Sequence, residues 1–100
     1  MRKFKVYYAK QMPFFFDQPE LAISDLAETH VLVKEIEAAD VNEVFYQMQG
    51  EVWSPNGEAR ELIRSLGLDH TSMSVGDVIY DVESQTYLRC NPFGWSEITA

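Results

Sequence analysis

One hundred residues, 46% of them apolar and 24% charged, are enough for one folding unit with a buried core and exclude a disordered chain. Sixteen acids against eight bases leave a net charge of −8, which repels phosphate backbones and disfavours nucleic acid as a partner. A single cysteine, Cys90, excludes an internal disulfide framework and a cysteine-rich zinc site, and no apolar run is long enough to span a membrane.

In chain order, the first element is a strand over about residues 3–9, where Phe4, Val6 and Tyr8 alternate with Lys5 and Tyr7. The basic start, Met1 to Lys5, is followed by no long apolar segment, so a signal peptide is not expected and a reducing, cytoplasmic setting is. Pro13 ends regular pairing, because proline brings no amide proton to a ladder. Residues 11–29, with Phe14-Phe15-Phe16 between two prolines and then Leu21, Ile23 and Leu26, read as a packed excursion in which Pro19-Glu20 can open a short helix. His30 to Glu37 reads as a second strand, and its early apolar run predicts an inner position in the sheet.

A helix follows. Asp40 is a good N-cap, Glu43 completes a D-x-x-E capping box, and Val41, Val44, Phe45 and Met48 form one stripe before Gly50, the expected stop. Ser54-Pro55 predicts a second helix start, which overrules a hairpin at Asn56-Gly57; Ala59, Leu62, Ile63 and Leu66 form its stripe, and Gly67 its end. Val78, Tyr80 and Val82 alternate into a strand. A turn at Glu83-Ser84-Gln85 returns through Tyr87 to Cys90, Asn91-Pro92 breaks that strand, and Trp95 to Ile98 form a short last one. The expectation is one α+β domain over residues 1–100: a single antiparallel sheet of four or five strands with two helices packed on one face. The opening strand–excursion–strand fits a long hairpin or a crossover equally well.

Chemistry-bearing residues are sparse. Cys90 with His70 or His30 would make a thiolate–imidazole pair, but Cys90 falls in an alternating strand beside Leu88, where cysteine acts as a small hydrophobe, and no third orienting group stands out. Two histidines and one cysteine at wide spacing contain no local chelating pair, and Glu35, Glu37 and Asp40 read as solvated charge and a cap. Gly57, Gly67 and Gly76 are separate turn residues rather than a phosphate cradle. No catalytic residue, metal site or cofactor is expected.

The aromatic residues are more informative. Six Phe, five Tyr and two Trp exceed what a small core hides, and Tyr7, Phe14, Phe15, Phe16, Tyr46, Trp53 and Trp95 are candidates for exposure. Tyr46 lies off the apolar stripe and Trp53 lies between the helices. Either these rings cap the ends of the core, or they form a binding patch rimmed by acids.

The segment His70-Thr71-Ser72-Met73-Ser74-Val75-Gly76-Asp77-Val78-Ile79, with Tyr87, Cys90, Phe93-Gly94-Trp95 and Glu97-Ile98, resembles a C-terminal signature of the YodL-like family of small bacterial, phage and mobile-element proteins. There the pattern is roughly H-S-x-S-V-x-D-V, a hairpin with Tyr and often Cys, and a G-F/W-x-x-I/V ending. Asn42 to Phe45 and Trp53 to Ala59 also resemble small proteins carried by cyanobacteria and their phages. The resemblance implies a fold unit and a phage or mobile-element context, and it supplies no catalytic residues. The residues of the signature also have a plain structural use: Gly76 takes a positive φ, Asp77 bonds nearby amides, and Ser72 and Ser74 satisfy loop backbone.

The expected function is a small acidic, non-catalytic interaction module that binds a host protein or a second copy of itself. Its partner-binding residues are expected to be Tyr46, Trp53, Phe15, His70, Ser72, Met73 and Trp95. The alternative is a nucleic-acid mimic whose carboxylates occupy the basic groove of a host DNA- or RNA-binding enzyme, although the acids are spread along the chain rather than dense in one run.

Overall fold

The computed structural model describes residues 1–10 and 21–99. The Phe14-Phe15-Phe16 cluster, and with it the site candidate Phe15, lies outside the described residues. The first strand, β1 (Arg2–Ala9), is where the alternation places it, with Phe4, Val6 and Tyr8 buried on one face. A 3-10 turn (Ile23–Asp25) and the short helix α1 (Leu26–Thr29) lead into β2 (His30–Ala38). Then come three short helices, α2 (Val41–Gln47), α3 (Gly50–Trp53) and α4 (Arg60–Ser65), and a meander of β3 (Val78–Asp81), β4 (Thr86–Asn91) and β5 (Gly94–Ile98).

The strands form one antiparallel sheet in the order β2-β1-β3-β4-β5, an α+β arrangement. β1 and β2 are antiparallel neighbours, so the opening resolves as the long hairpin. β2 and β3 flank β1, and the chain between them carries α2, α3 and α4. The main core forms where Phe4, Val6, Tyr8, Ile36 and Ile79 meet Val44, Met48, Ala59, Ile63, Leu68 and Met73. On the opposite face Leu26 packs with Val78 and Ile98, beside Tyr7, Leu21, Ile23 and Tyr87.

Four expectations are corrected. β2 is an edge strand, not an inner one, because β1 has β3 on its other side. The apolar run in β2 serves a bulge: Val6 pairs with Lys34 and Tyr7 with Leu32, which leaves Val33 unopposed and buried while Leu32 is 44% exposed. Gly50 opens α3 rather than ending α2; its amide donates to Ser72 Oγ at 2.7 Å, and a Cβ there would stand 3.1 Å from that oxygen. The glycine is needed for close approach, not for a left-handed stop. The helix predicted from Ser54-Pro55 begins only at Arg60: Gly57 has φ +86°, which breaks the first turn, and Ser54 Oγ accepts from Ala59 N at 2.9 Å across the resulting loop. Leu62, expected in the buried stripe, is exposed.

The α2 N-terminus forms as the sequence predicts. Asp40 Oδ1 accepts from Glu43 N at 2.9 Å, and Glu43 Oε2 reaches back to Ala39 N at 2.9 Å, one residue beyond the usual partner.

Candidate functional site

The signature loop between α4 and β3 closes around one carboxylate. Asp77 is buried with 0% exposure. It accepts from Ala9 N at 2.8 Å, from Ser74 N at 2.8 Å and from the His70 ring at Nε2, 3.0 Å away. A buried carboxylate is costly unless its lone pairs are satisfied, and three donors meet that need. The ladder continues through its backbone, with Cys90 N donating to Asp77 O and Gly76 N to Cys90 O.

Aromatic and polar groups hold the loop from the other sides. The Tyr8 ring stacks on His70 at 4.6 Å, and the Tyr8 hydroxyl donates to Thr71 O at 2.6 Å. Trp53 Nε1 also donates to Thr71 O, at 3.0 Å, and Lys34 Nζ sits 5.3 Å from the Trp53 ring centroid. Ser72 Oγ receives Gly50 N, and Met73, 2% exposed, sits in the core with its amide on Met48 O. His30 Nε2 lies 2.8 Å from Gly76 O, and its Nδ1 is 2.8 Å from Thr29 Oγ1.

The environment sets distinct protonation preferences. Burial of His70 opposes its charged form, but the hydrogen bond and charge of Asp77, with help from Asp69, outweigh it and raise the pKa above the ordinary histidine value. Burial lowers the pKa of His30 despite its bond to Gly76. Burial and the negative charge of Asp77 push the Cys90 thiol up to about 11, so it favours the protonated form at neutral pH. Tyr8 is raised by burial and by Asp77. The hydroxyl groups of Tyr8, Ser72 and Ser74 all make hydrogen bonds within this network. Among the described residues, no group of three or more His, Cys, Asp or Glu is placed to hold a metal ion.

The expected binding residues therefore separate into two sets. Trp53, His70, Ser72 and Met73 converge on the loop, where each bonds or packs inward, and Met73 is buried in the core. Tyr46 and Trp95 lie outside that loop, on α2 and β5. Tyr46 is 64% exposed on α2, and one turn earlier Asn42 Oδ1 accepts from Trp95 Nε1 at 3.4 Å. The Trp95 ring stands edge-on to Phe45, centroids 6.4 Å apart. Asn42 and Phe45 of α2 thus hold Trp95 of β5, and Tyr46 is exposed on the same helix. Sequence reading missed Tyr8 and His30 as parts of the loop network, since strand periodicity marks a residue as buried without saying what its polar atoms bond; Asp77 was legible as a turn carboxylate, not as the centre.

Among the described residues, no helix is long and apolar enough to cross a membrane. The chain matches no protein-family model, no curated protein and no solved structure.

Proposed function

We propose that this chain is a small, acidic, non-catalytic interaction module of phage or mobile-element type that docks on a host protein through the surface of α2 and β5. The observation that carries the reading is Tyr46: a large amphipathic ring, mostly in solvent, next to the Asn42–Trp95 contact on a helix whose other face is core. Tyrosine and tryptophan favour such surfaces because they supply contact area with few rotamers to freeze. The signature loop supports this reading from the other side. Within it His70, Ser72 and Ser74 bond inward, as His30 does from β2; Cys90 of β4 is buried, and among the described residues no activated nucleophile sits beside an available base.

The nucleic-acid-mimic alternative draws less support. On the edge strand Glu35 and Glu37 lie directly opposite Lys5 and Lys3, so these carboxylates do not form a uniform acidic row.

The test is affinity capture from host lysate at low and high salt, followed by titration of the captured protein against the wild-type chain and Tyr46→Ala. A partner that survives high salt and loses affinity with Tyr46→Ala at unchanged melting temperature supports the aromatic interface. A partner lost at high salt and indifferent to Tyr46 supports the mimic instead.

A further inference from the structure

His30 opens β2 and stands between α1 and the signature loop, buried at 7% exposure. Its Nε2 is 2.8 Å from Gly76 O, a carbonyl that can only accept, so Nε2 carries a hydrogen whether the ring is neutral or charged. The other nitrogen is where the two states part. Nδ1 lies 2.8 Å from Thr29 Oγ1, and the same Oγ1 lies 3.0 Å from Asp25 O, one helical turn back. One hydroxyl hydrogen cannot serve both. With His30 neutral, Nδ1 is a bare acceptor and the Thr29 hydroxyl donates to it. With His30 protonated, Nδ1–H donates to Thr29 Oγ1, and the hydroxyl hydrogen turns to Asp25 O. The heavy atoms already stand where both arrangements need them. The protonated one contains an additional hydrogen bond, and the bond from the imidazolium is charge-assisted.

We propose that His30 and Thr29 form a proton-operated switch, in which uptake of one solvent proton at Nδ1 moves the Thr29 hydroxyl from the imidazole to Asp25 O and closes the last residue of α1 onto its N-cap residue. Helix α1 carries Leu26, which packs with Val78 and Ile98, so the switch acts on the layer over the second face of the sheet. The groups around the ring set where it operates. Burial is the largest influence and disfavours the charged ring; the bond to Gly76 O and the charge of Asp77 favour it, and Arg89 on β4 opposes it. Asp77 is shared with His70, whose pKa is raised, so His70 takes its proton first. β1 sets the uncharged Ala9 opposite His30. On the α1 side Glu28 is exposed, and the Asp25 carboxylate is engaged by Ala22 N at 3.0 Å. His30 is therefore neutral at neutral pH, with the hydroxyl on the imidazole, and the switch turns on acidification.

The experiment is an NMR titration of the full chain from about pH 8 to about pH 4, a range that brackets the ordinary histidine value. It follows the His30 ring nitrogens and the Asp25 carbonyl carbon in wild type, Thr29→Ser, Thr29→Val and His30→Gln. The expected neutral ring carries its hydrogen on Nε2. In wild type and Thr29→Ser the Asp25 carbonyl titrates with the His30 midpoint. In Thr29→Val that response is lost, and the His30 midpoint falls by about one pH unit, tenfold in proton affinity, because the imidazolium loses its acceptor. His30→Gln abolishes the Asp25 response too, which separates it from titration of the Asp25 carboxylate itself. A neutral ring with its hydrogen on Nδ1, a wild-type Asp25 carbonyl that ignores the His30 midpoint, or one that still follows it in Thr29→Val would each overturn the switch. So would a ring that stays neutral until the protein unfolds. Thr29 is exposed, which favours folding of Thr29→Val; if that variant fails to fold, the wild-type tautomer and the Thr29→Ser titration decide the matter.

Discussion

Asp77 and His70, seven residues apart in sequence, meet at 3.0 Å between Nε2 and Oδ2, and the carboxylate has no exposure to solvent. The same carboxylate satisfies Ala9 N on β1 and Ser74 N in the loop, so one side chain ties the loop to the end of an inner strand. Asp77→Ala removes the shared acceptor and leaves two backbone amides and an imidazole without it. The expected cost is about 3–5 kcal/mol in urea unfolding, the range for breaking a buried charged network. A change below about 1 kcal/mol would mean that the loop is held by other contacts.

The two histidines respond to pH in opposite senses. The folded pKa of His70 is raised, so its contribution is fully present below the unfolded value of about 6.5 and is lost as pH rises through the folded value. The folded pKa of His30 is lowered by burial, so its contribution is present above about 6.5 and is lost as pH falls through the folded value. His70→Gln should therefore destabilise the protein more at pH 5.5 than at pH 8.5, each set here as roughly one unit below and two above the ordinary value. His30→Gln should show the reverse trend relative to wild type. Urea titrations of both variants across that range, with histidine ring NMR shifts, provide the check; equal pH slopes for the two would contradict the assignment.

Cys90 should be inert in the folded protein. With its pKa near 11, only about one thiol in a thousand is ionised at pH 8, against roughly a quarter for an exposed cysteine. Burial reduces access further. Alkylation by iodoacetamide should therefore be at least about a hundredfold slower than in the urea-unfolded chain. Rapid stoichiometric labelling of the native protein would reopen the thiolate–imidazole reading.

One helix provides a comparison of core and surface. Met48, at the C-terminal cap of α2, is fully buried among Val44, Tyr8 and Met73, whereas Tyr46 faces solvent. Met48→Ala should cost about 2–5 kcal/mol through lost burial and the cavity it leaves. Tyr46→Ala should stay within about 0.5 kcal/mol of wild type. Thermal and urea unfolding of the pair measure both, and a large loss for Tyr46→Ala would make that ring structural.

Much of this architecture was legible because local signals and tertiary demands agree. Phe4, Val6 and Tyr8 alternate in both sequence and burial; Asp40 and Glu43 cap α2; Asn91-Pro92 ends the strand before the last one. The misreadings share a cause, which is that a residue type serves several uses. Gly50 reads as a helix stop, but its role is close approach to Ser72, a residue 22 positions away. Ser54-Pro55 reads as a helix start, but Gly57 two residues later moves the start to Arg60. The apolar run of β2 reads as an inner strand, yet it fills a bulge at the sheet edge. For the site, Tyr46 and Trp95 read as surplus aromatics, but the contact of Trp95 with Asn42 joins positions 53 residues apart and has no local signal. Met73 lies in one segment with His70 and Ser72, but its side chain belongs to the core.

The most direct test of the interaction reading is the affinity of wild type and Tyr46→Ala for the protein captured at high salt, with melting temperatures measured on the same samples. The account predicts a loss of about tenfold or more with no change in melting temperature. Equal affinities, or a loss that appears only alongside a lowered melting temperature, would contradict it.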